Sequence, residues 1–254
     1  MTLRENTLYA SNRHKVHIFQ DNQPGKFLEY DIVRSRFTVK GMDAKIISYF
    51  ENLQHPNAIS HLEKINEEMF LSASETVVIL WRLNRRRVEY VSAFRGHRHP
   101  IRHLISIKNY SVFVSVDKEE MILCDIGRKV GIRRISCVDI ECISANEETG
   151  DLTVYADGVL KIFSINGTLL LESVIHDKVT SIAAYGMSLV DMIVFTGHEH
   201  GLISTWKVKV GSTGWELEKM TTYESSSKET LSCLVAKSGF LISGTRRGKV
   251  SVWT

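Results

Sequence analysis

Proline is scarce: the 254 residues carry 3 prolines and no polar low-complexity tract. Long disordered linkers are therefore not expected. Cysteine is sparse too. Cys124, Cys137, Cys142 and Cys233 are the whole set, and no two stand in the C-x-x-C spacing of a zinc or redox motif. No run approaches the roughly 18 apolar residues of a membrane span, and the opening MTLRENTLYA has no apolar signal core. The expectation is a reducing, cytoplasmic setting, peripheral on organelle membranes at most, with four structural thiols. A dominant charge is also missing: 32 basic against 29 acidic residues leave +3, too mild to point to nucleic acid. Catalytic signatures are absent as well, with no G-x-S-x-G elbow, H-E-x-x-H or kinase set. The pairs Glu67-Glu68, Glu119-Glu120 and Glu147-Glu148 are adjacent residues, which a strand points to opposite faces, so neither pair can flank one bond. The expectation is no enzyme and no cofactor.

What is present is a repeat. LYASNRHKVHIF (8–19), FLSASETVVILW (70–81), FVSVDKEEMILC (113–124), LTVYADGVLKIF (152–163), VFTGHEHGLISTW (194–206) and LISGTRRGKVSVW (241–253) each read as strand, polar turn, strand. The second strand alternates faces, with the period of a half-buried strand. It ends in Phe19, Trp81, Cys124, Phe163, Trp206 or Trp253, at intervals of 62, 43, 39, 43 and 47. Four of the five intervals lie near the roughly 40–45 residues of a four-stranded propeller blade. A further strand precedes five of the hairpins, such as IRHLISI (101–107), and another follows some, such as TLLLESVI (168–175). Six residues before each end residue stands a turn residue: Arg13, Glu75, Lys118, Asp157, His200 and Arg247. A catalytic position would not change chemistry from copy to copy, whereas a solvated turn would.

FRGHRHPI, followed by a hairpin and Cys124-Asp125, resembles a WD repeat, in which a turn aspartate ties back to the His of a Gly-His pair and Trp-Asp closes the unit. Fragments of that pattern survive. Gly96-His97 is present, its partner turn is read as Lys118, Asp157 is read as the one retained turn aspartate, and Trp81, Trp206 and Trp253 keep the closing aromatic. The order of Thr149-Gly150-Asp151, Asn166-Gly167 and Thr196-Gly197-His198, with GWELEK and LISGTRRGKVSVW after them, is similar to the C-terminal WD-repeat propeller of BEACH-domain proteins, of the lysosomal-trafficking-regulator and neurobeachin type, over about residues 55–254. The resemblance implies an all-β propeller without the BEACH domain itself. It also implies a protein-interaction scaffold in vesicle or lysosomal membrane trafficking or autophagy, with protein partners. The alternative is a structural WD-repeat subunit or adaptor of a stable complex.

At about 42 residues per blade the chain is expected to form one propeller domain of six to seven four-stranded blades. Residues 1–54 are read as a degenerate first blade plus an insert, and 55–254 as five recognisable repeats. The first hairpin has no strand before it and the last has none after it, so the expectation is either a truncated chain, with a BEACH domain upstream, or a second chain that completes the ring. Residues 20–54 are left open between an outer strand and an extra hairpin or short helix.

His97, His99 and His103, with His198 and His200, raise a zinc reading. The two groups fall in different repeats, so convergence on one metal is not expected. GTRRGKVS (244–251) has three residues between its glycines and a strand after it, so it reads as a hairpin and not as a phosphate loop. The functional expectation concerns charge. Hairpin turns and the loops leading into each blade share one face, so Arg13, Arg98, Lys118, His200, Arg246 and Arg247 are expected to form a basic face for an acidic peptide or an anionic lipid head group. Histidines would strengthen it near pH 6, and Glu75, Asp117, Asp157 and Glu199 would dilute it. RLNRRR (82–87) reads as a solvated turn into an outer strand. Phe19, Trp81, His97, Asp157, Phe163, Trp206 and Trp253 are expected to hold the blades together.

Overall fold

Among the described residues the computed structural model is all-β apart from two short 3-10 turns. Side chains are described for residues 58–83, 88–212, 214–225, 228–237 and 239–253; Asn84, Arg87 and six strands between residues 2 and 49 are described by backbone alone. Those six are β1 (Thr2–Arg4), β2 (Thr7–Asn12), β3 (Lys15–Gln20), β4 (Phe27–Asp31), β5 (Arg36–Lys40) and β6 (Ile46–Tyr49). They form one antiparallel meander in chain order, where the sequence predicts a degenerate blade and an insert.

Five blades follow. The first holds β7 (His61–Lys64), β8 (Met69–Ser74), β9 (Val77–Asn84) and β10 (Arg87–Phe94). The second holds β11 (His103–Ile107), β12 (Val112–Val116), β13 (Glu120–Asp125) and β14 (Val130–Ser136). The third holds β15 (Ile140–Ala145), β16 (Leu152–Ala156), β17 (Val159–Phe163) and β18 (Leu169–Val174). The fourth holds β19 (Val179–Tyr185), β20 (Ile193–His198), β21 (Leu202–Val210) and β22 (Trp215–Glu224). The fifth holds β23 (Leu231–Lys237), β24 (Phe240–Thr245) and β25 (Val250–Trp253). Each is an antiparallel meander in chain order. Among the described residues there are five blades in place of the six to seven expected from length, with the β1–β6 meander occupying the long first interval and three strands in the fifth sheet.

The chain divides into two compact units, residues 1–132 and 133–254, with the division inside β14. In the first unit, Leu71, Val78, Leu80, Phe94, Phe113 and Ile122 form the core shared by the first two blades. In the second, Leu160, Ile162, Ile182, Val194 and Trp206 join the third and fourth blades, and Ala183, Ile203, Leu231 and Leu241 join the fourth and fifth. Middle strands are covered on both faces, so β12 and β16 are buried at every residue and read as near-continuous apolar runs. β14 lies outside and is almost wholly exposed.

A hydrogen bond recurs inside the blades. Trp81 donates its indole N–H to Ser72 Oγ at 2.6 Å, Trp206 to Thr196 Oγ1 at 2.8 Å, and Trp253 to Ser243 Oγ at 2.9 Å. The ladders explain the repetition. Phe70, Phe113, Leu152, Val194 and Leu241 stand opposite Trp81, Cys124, Phe163, Trp206 and Trp253. The hydroxyl comes two residues after the first of each pair, which places it on the same face as the indole. Where the third blade has Phe163, the matching position is Val154, so donor and acceptor are lost together. The second blade keeps Ser115 without an indole and bonds it to His97 instead, at 2.8 Å. Buried polar groups need partners, and each blade meets that need by pairing or by removing both groups.

A second device closes the start of the innermost strand. Ladder register slips there in three blades, between Ile140 and Cys142, Val179 and Ser181, and Leu231 and Cys233. The bulged residue returns its hydroxyl to the neighbouring strand: Thr180 Oγ1 to Gly197 O at 3.0 Å and Ser232 Oγ to Gly244 O at 3.2 Å. Ser60 does the same to Ala73 O at 3.2 Å. Gly197 is required by close approach, since a Cβ there would collide with Ser181 Oγ and come within 3.2 Å of Leu231 and Leu234.

One threonine breaks the polar rule. Thr153 Oγ1 is buried without a hydrogen-bond partner, on the opposite face from Val154, at the register position that Leu71, Val114, Phe195 and Ile242 fill elsewhere. Thr153→Val should stabilise the protein by about 1 kcal/mol, whereas Thr196→Val, which strands an indole N–H and a histidine nitrogen, should cost about 2 kcal/mol. Urea denaturation of both variants checks the opposite signs.

Candidate functional site

The β-hairpin turns between second and third strands are the variable part of each blade. Glu75, Asp157 and His200 adopt left-handed backbone at φ 51°, 48° and 59°. All three are exposed. Asp157-Gly158, with both residues at positive φ, is a two-residue turn of the kind that matches strand twist. In the fifth blade the turn closes through Thr245 N to Lys249 O at 2.9 Å, with Gly248 at φ 84°, so GTRRGKVS is a hairpin.

Turns and lead-in loops meet blade by blade. Ile101 N donates to Glu75 O at 2.7 Å, Ile175 N to Gly158 O at 2.8 Å and Ser225 N to Gly201 O at 2.8 Å. Ion pairs link the same pieces: His99 to Glu119 at 2.9 Å, Lys178 to Glu199 at 3.2 Å, and Arg247 to Glu229 at 3.5 Å.

The best-built of these junctions is in the second blade. His97 Nδ1 meets Asp117 Oδ2 at 3.0 Å, while the other ring nitrogen meets Ser115. Asp117 Oδ1 accepts the backbone N–H groups of Glu119 and Glu120 at 2.8 and 2.9 Å. The partner of His97 is therefore Asp117, not Lys118. Asp157 is likewise displaced from the role expected of it: it projects from the turn, and the residue in register with Asp117 is the buried Ala156. The matching position stands seven residues before the end residue in the first three blades, so a count of six lands one position late. Burial pushes the Asp117 carboxyl up, but the two backbone donors and the His97 ring outweigh it and hold it below the ordinary carboxylate range.

The fourth blade builds a different junction at the same register. Thr196 Oγ1 meets His198 Nε2 at 2.9 Å, and His198 Nδ1 donates to Lys178 O at 3.0 Å. A chain thus runs from the Trp206 indole through Thr196 and His198 to the lead-in loop. Burial pushes His198 below its ordinary value, against the opposing pull of the Lys178 carbonyl, so the ring is neutral. In the first blade the same position is Ser74, whose Oγ has no partner among the described residues.

The histidines of the zinc reading belong to the separate junctions of the second and fourth blades. Ligand atoms of His97, Asp117 and Glu120 lie within 4.8 Å of one another, but both nitrogens of His97 and both oxygens of Asp117 already hold protein groups. His99 is taken by Glu119, His198 is buried in its own relay, and His200 is exposed in its turn.

The residues expected to form the basic face are placed as follows. Arg98 and Lys118 are exposed in the second blade, and His200, Arg246 and Arg247 in the fourth and fifth. Lys118 sits 3.5 Å from Glu119. Arg98, His200 and Arg246 meet no carboxylate among the described residues. Arg13 lies outside the described residues, as do Arg85 and Arg86 of the second basic run, and Phe19 is described only as backbone in β3.

No protein-family model matches the chain. Two curated plant proteins do. Protein SPIRRIG of Arabidopsis thaliana is 27% identical over 184 residues, and BEACH domain-containing protein A2 of the same plant is 25% identical over 186. Each match covers 65% of this chain and 5% of the relative, so the chain spans about one-twentieth of their length. The chain resembles BEACH-domain proteins. Its fold is shared more widely. Sqt1 of Saccharomyces cerevisiae superposes with a TM-score of 0.65 at 12% identity, covering 99% of this chain and 86% of that one. A chain of a mitotic checkpoint complex gives 0.64 at 10%, covering 98% and 83%. These show the fold, a WD-repeat-like β-propeller. This BEACH-like chain keeps the WD histidine–aspartate tie in one described blade.

Two acid windows follow from the two latches. Asp117 stays charged below its ordinary value, so its contribution is complete above about pH 4 and is lost as pH falls through its lower folded value. His198 stays neutral in the fold, so the unfolded chain takes up its proton first and stability declines as pH drops below about 6.5. In urea titrations from pH 8 to 3, His198→Gln should remove the upper decline. Asp117→Asn should cost about 1–3 kcal/mol at pH 7, with the gap to wild type closing below pH 4.

Proposed function

We propose that the chain is a non-catalytic interaction platform, the WD-repeat part of a BEACH-type protein acting in vesicle or lysosomal membrane trafficking or autophagy, with a BEACH domain in the same polypeptide. One observation carries the reading. A constant buried frame holds turns whose chemistry differs in every blade, from Glu75 through Asp157 to Arg246-Arg247. Uniform support with divergent tips is the arrangement of a recognition surface presented on a rigid scaffold. The similarity to SPIRRIG and the A2 protein supports the BEACH assignment. Among the described residues no helix is long and apolar enough to cross a membrane, so membrane association in this reading is through the surface.

The recognising groups in this proposal are the exposed bases of each unit taken by itself, Arg98 and Lys118 in the first and His200, Arg246 and Arg247 in the second, and the partner is anionic. Ion pairing to Glu119 and Glu229 lowers the field of Lys118 and Arg247, but exposed pairs of this kind are weak and open readily. Arg98 and Arg246 contribute undiluted charge.

The test is R98E/R246E/R247E, titrated with phosphatidylserine vesicles and with a poly-glutamate peptide at several salt concentrations. Each basic residue near an anionic surface contributes about 1 kcal/mol, so the triple variant should bind at least a hundredfold more weakly and with a flatter salt dependence. Unchanged affinity for both probes would remove the basic face from the proposal.

A further inference from the structure

The outer strands of the blades differ in charge. β10 carries Glu89, β18 carries Glu172, and β22 carries Glu216, Glu218 and Glu224. β14 carries no carboxylate. From Ile126 to Val138 the chain has Arg128, Lys129, Arg133 and Arg134 and no acidic residue. β14 is also the last strand of its sheet among the described residues, and Ile135 alone of its residues is not fully exposed.

The strand ends in Arg133-Arg134-Ile135-Ser136. This is the one place in the chain where two arginines stand three and two residues before a serine or threonine. The other adjacent arginines put Val88, Glu89 or Lys249 at that spacing. All four residues of the run belong to the second compact unit.

A strand sends these side chains to two faces. Arg133 and Ile135 lean on the turn between β17 and β18 of the third blade: a Cβ on Gly167 would come within 2.8 Å of Ile135 and 2.9 Å of Arg133. Arg134 and Ser136 therefore share the opposite face. Both are exposed, and the Ser136 hydroxyl has no hydrogen-bond partner among the described residues. Beyond them Cys137 is buried, and Asp139 bends the chain at a left-handed φ of 50°. Only Ile135 and Cys137 give up packing when the end of this strand lifts, which sets the segment among the less stable parts of the fold.

We propose that Ser136 is a phosphorylation site, read by a protein kinase whose peptide groove is lined with carboxylates. Two guanidinium groups ahead of the hydroxyl suit such a groove, because each can pair with a carboxylate through two hydrogen bonds. The lack of acidic residues in the segment removes the repulsion that would reject it. Ser136 Oγ attacks the γ-phosphorus of ATP. The Oγ–P bond forms as the bond to the bridging oxygen of the departing ADP breaks, and the serine proton passes to the catalytic aspartate of the kinase. The product carries a charge of about −1.5 to −2 at pH 7, on the face of Arg134 and where the chain leads into the third blade. The site shares no residue with the basic turn face and does not depend on it.

The test incubates the whole chain with Mg-ATP and the catalytic subunit of cyclic-AMP-dependent protein kinase, and locates phosphate by fragmentation mass spectrometry. Ser136 should be the main site on the folded chain, at a rate within about a hundredfold of that on a synthetic peptide of residues 130–139. R133A/R134A should slow the reaction by about fiftyfold or more. The same two alanines should slow the peptide, which has no fold to lose, by a similar factor. S136T should carry the phosphate on the new threonine, and S136A should remove it from this segment. The proposal is overturned if Ser136 is labelled in the peptide but not in the folded chain, if removing both arginines leaves the rate unchanged, or if the folded chain takes its phosphate elsewhere.

Discussion

The buried indole N–H is the constraint on which the blades depend. A tryptophan at the end of a third strand brings a polar donor into a space closed on both faces. The donor must meet an acceptor there, because an unpaired one would cost about 1–3 kcal/mol. Ser72, Thr196 and Ser243 supply that acceptor from the second strand. The bond fixes the two strands in register, and the register fixes where the turn between them emerges. Burial of the ring contributes more than the bond itself, on the order of 2–3 kcal/mol against about 1. This is why Phe163 can stand in for tryptophan once the position two residues after its partner Leu152 is Val154.

The turns gain their freedom from that frame. Their exposed ion pairs, such as Lys178 with Glu199, are individually worth a few tenths of a kcal/mol and can change without loss of the blade. Only where the turn reaches back into the interior is its chemistry restricted. Asp117 is buried and bonded on both oxygens, and His198 relays between a buried threonine and a backbone carbonyl. These two junctions solve the same problem of anchoring a lead-in loop with different residues, one built on a carboxylate and one on a neutral ring.

The repeat was legible in the sequence because its end residues are large and evenly spaced, and the five blades fall where that spacing puts them. The tie at His97 was misassigned to Lys118 because the count ran six residues back from Cys124, into the turn, whereas the position that reaches back to the lead-in loop stands seven before the end residue. The hydroxyl acceptors were not legible at all. Serine and threonine are ordinary strand residues, and only the pairing of Phe70 with Trp81 or Val194 with Trp206 shows that Ser72 and Thr196 face the indole. The hydroxyls of Ser60 and of the bulged Thr180 and Ser232 were hidden for the same reason. The number of blades was overcounted because length does not distinguish a blade from the six-stranded meander β1–β6.

Substitution in such a repeat is conditional. A blade can lose its tryptophan if it also loses the hydroxyl, as at Phe163 and Val154, or if the hydroxyl finds another donor or acceptor, as Ser115 does with His97. Thr153, like Ser74 and Ser181, stands outside that rule: a buried hydroxyl with nothing to bond among the described residues. The divergence between copies that makes the family pattern hard to see is therefore paired across a ladder, and each blade is best compared with the others by what stands opposite a residue rather than by its distance along the chain.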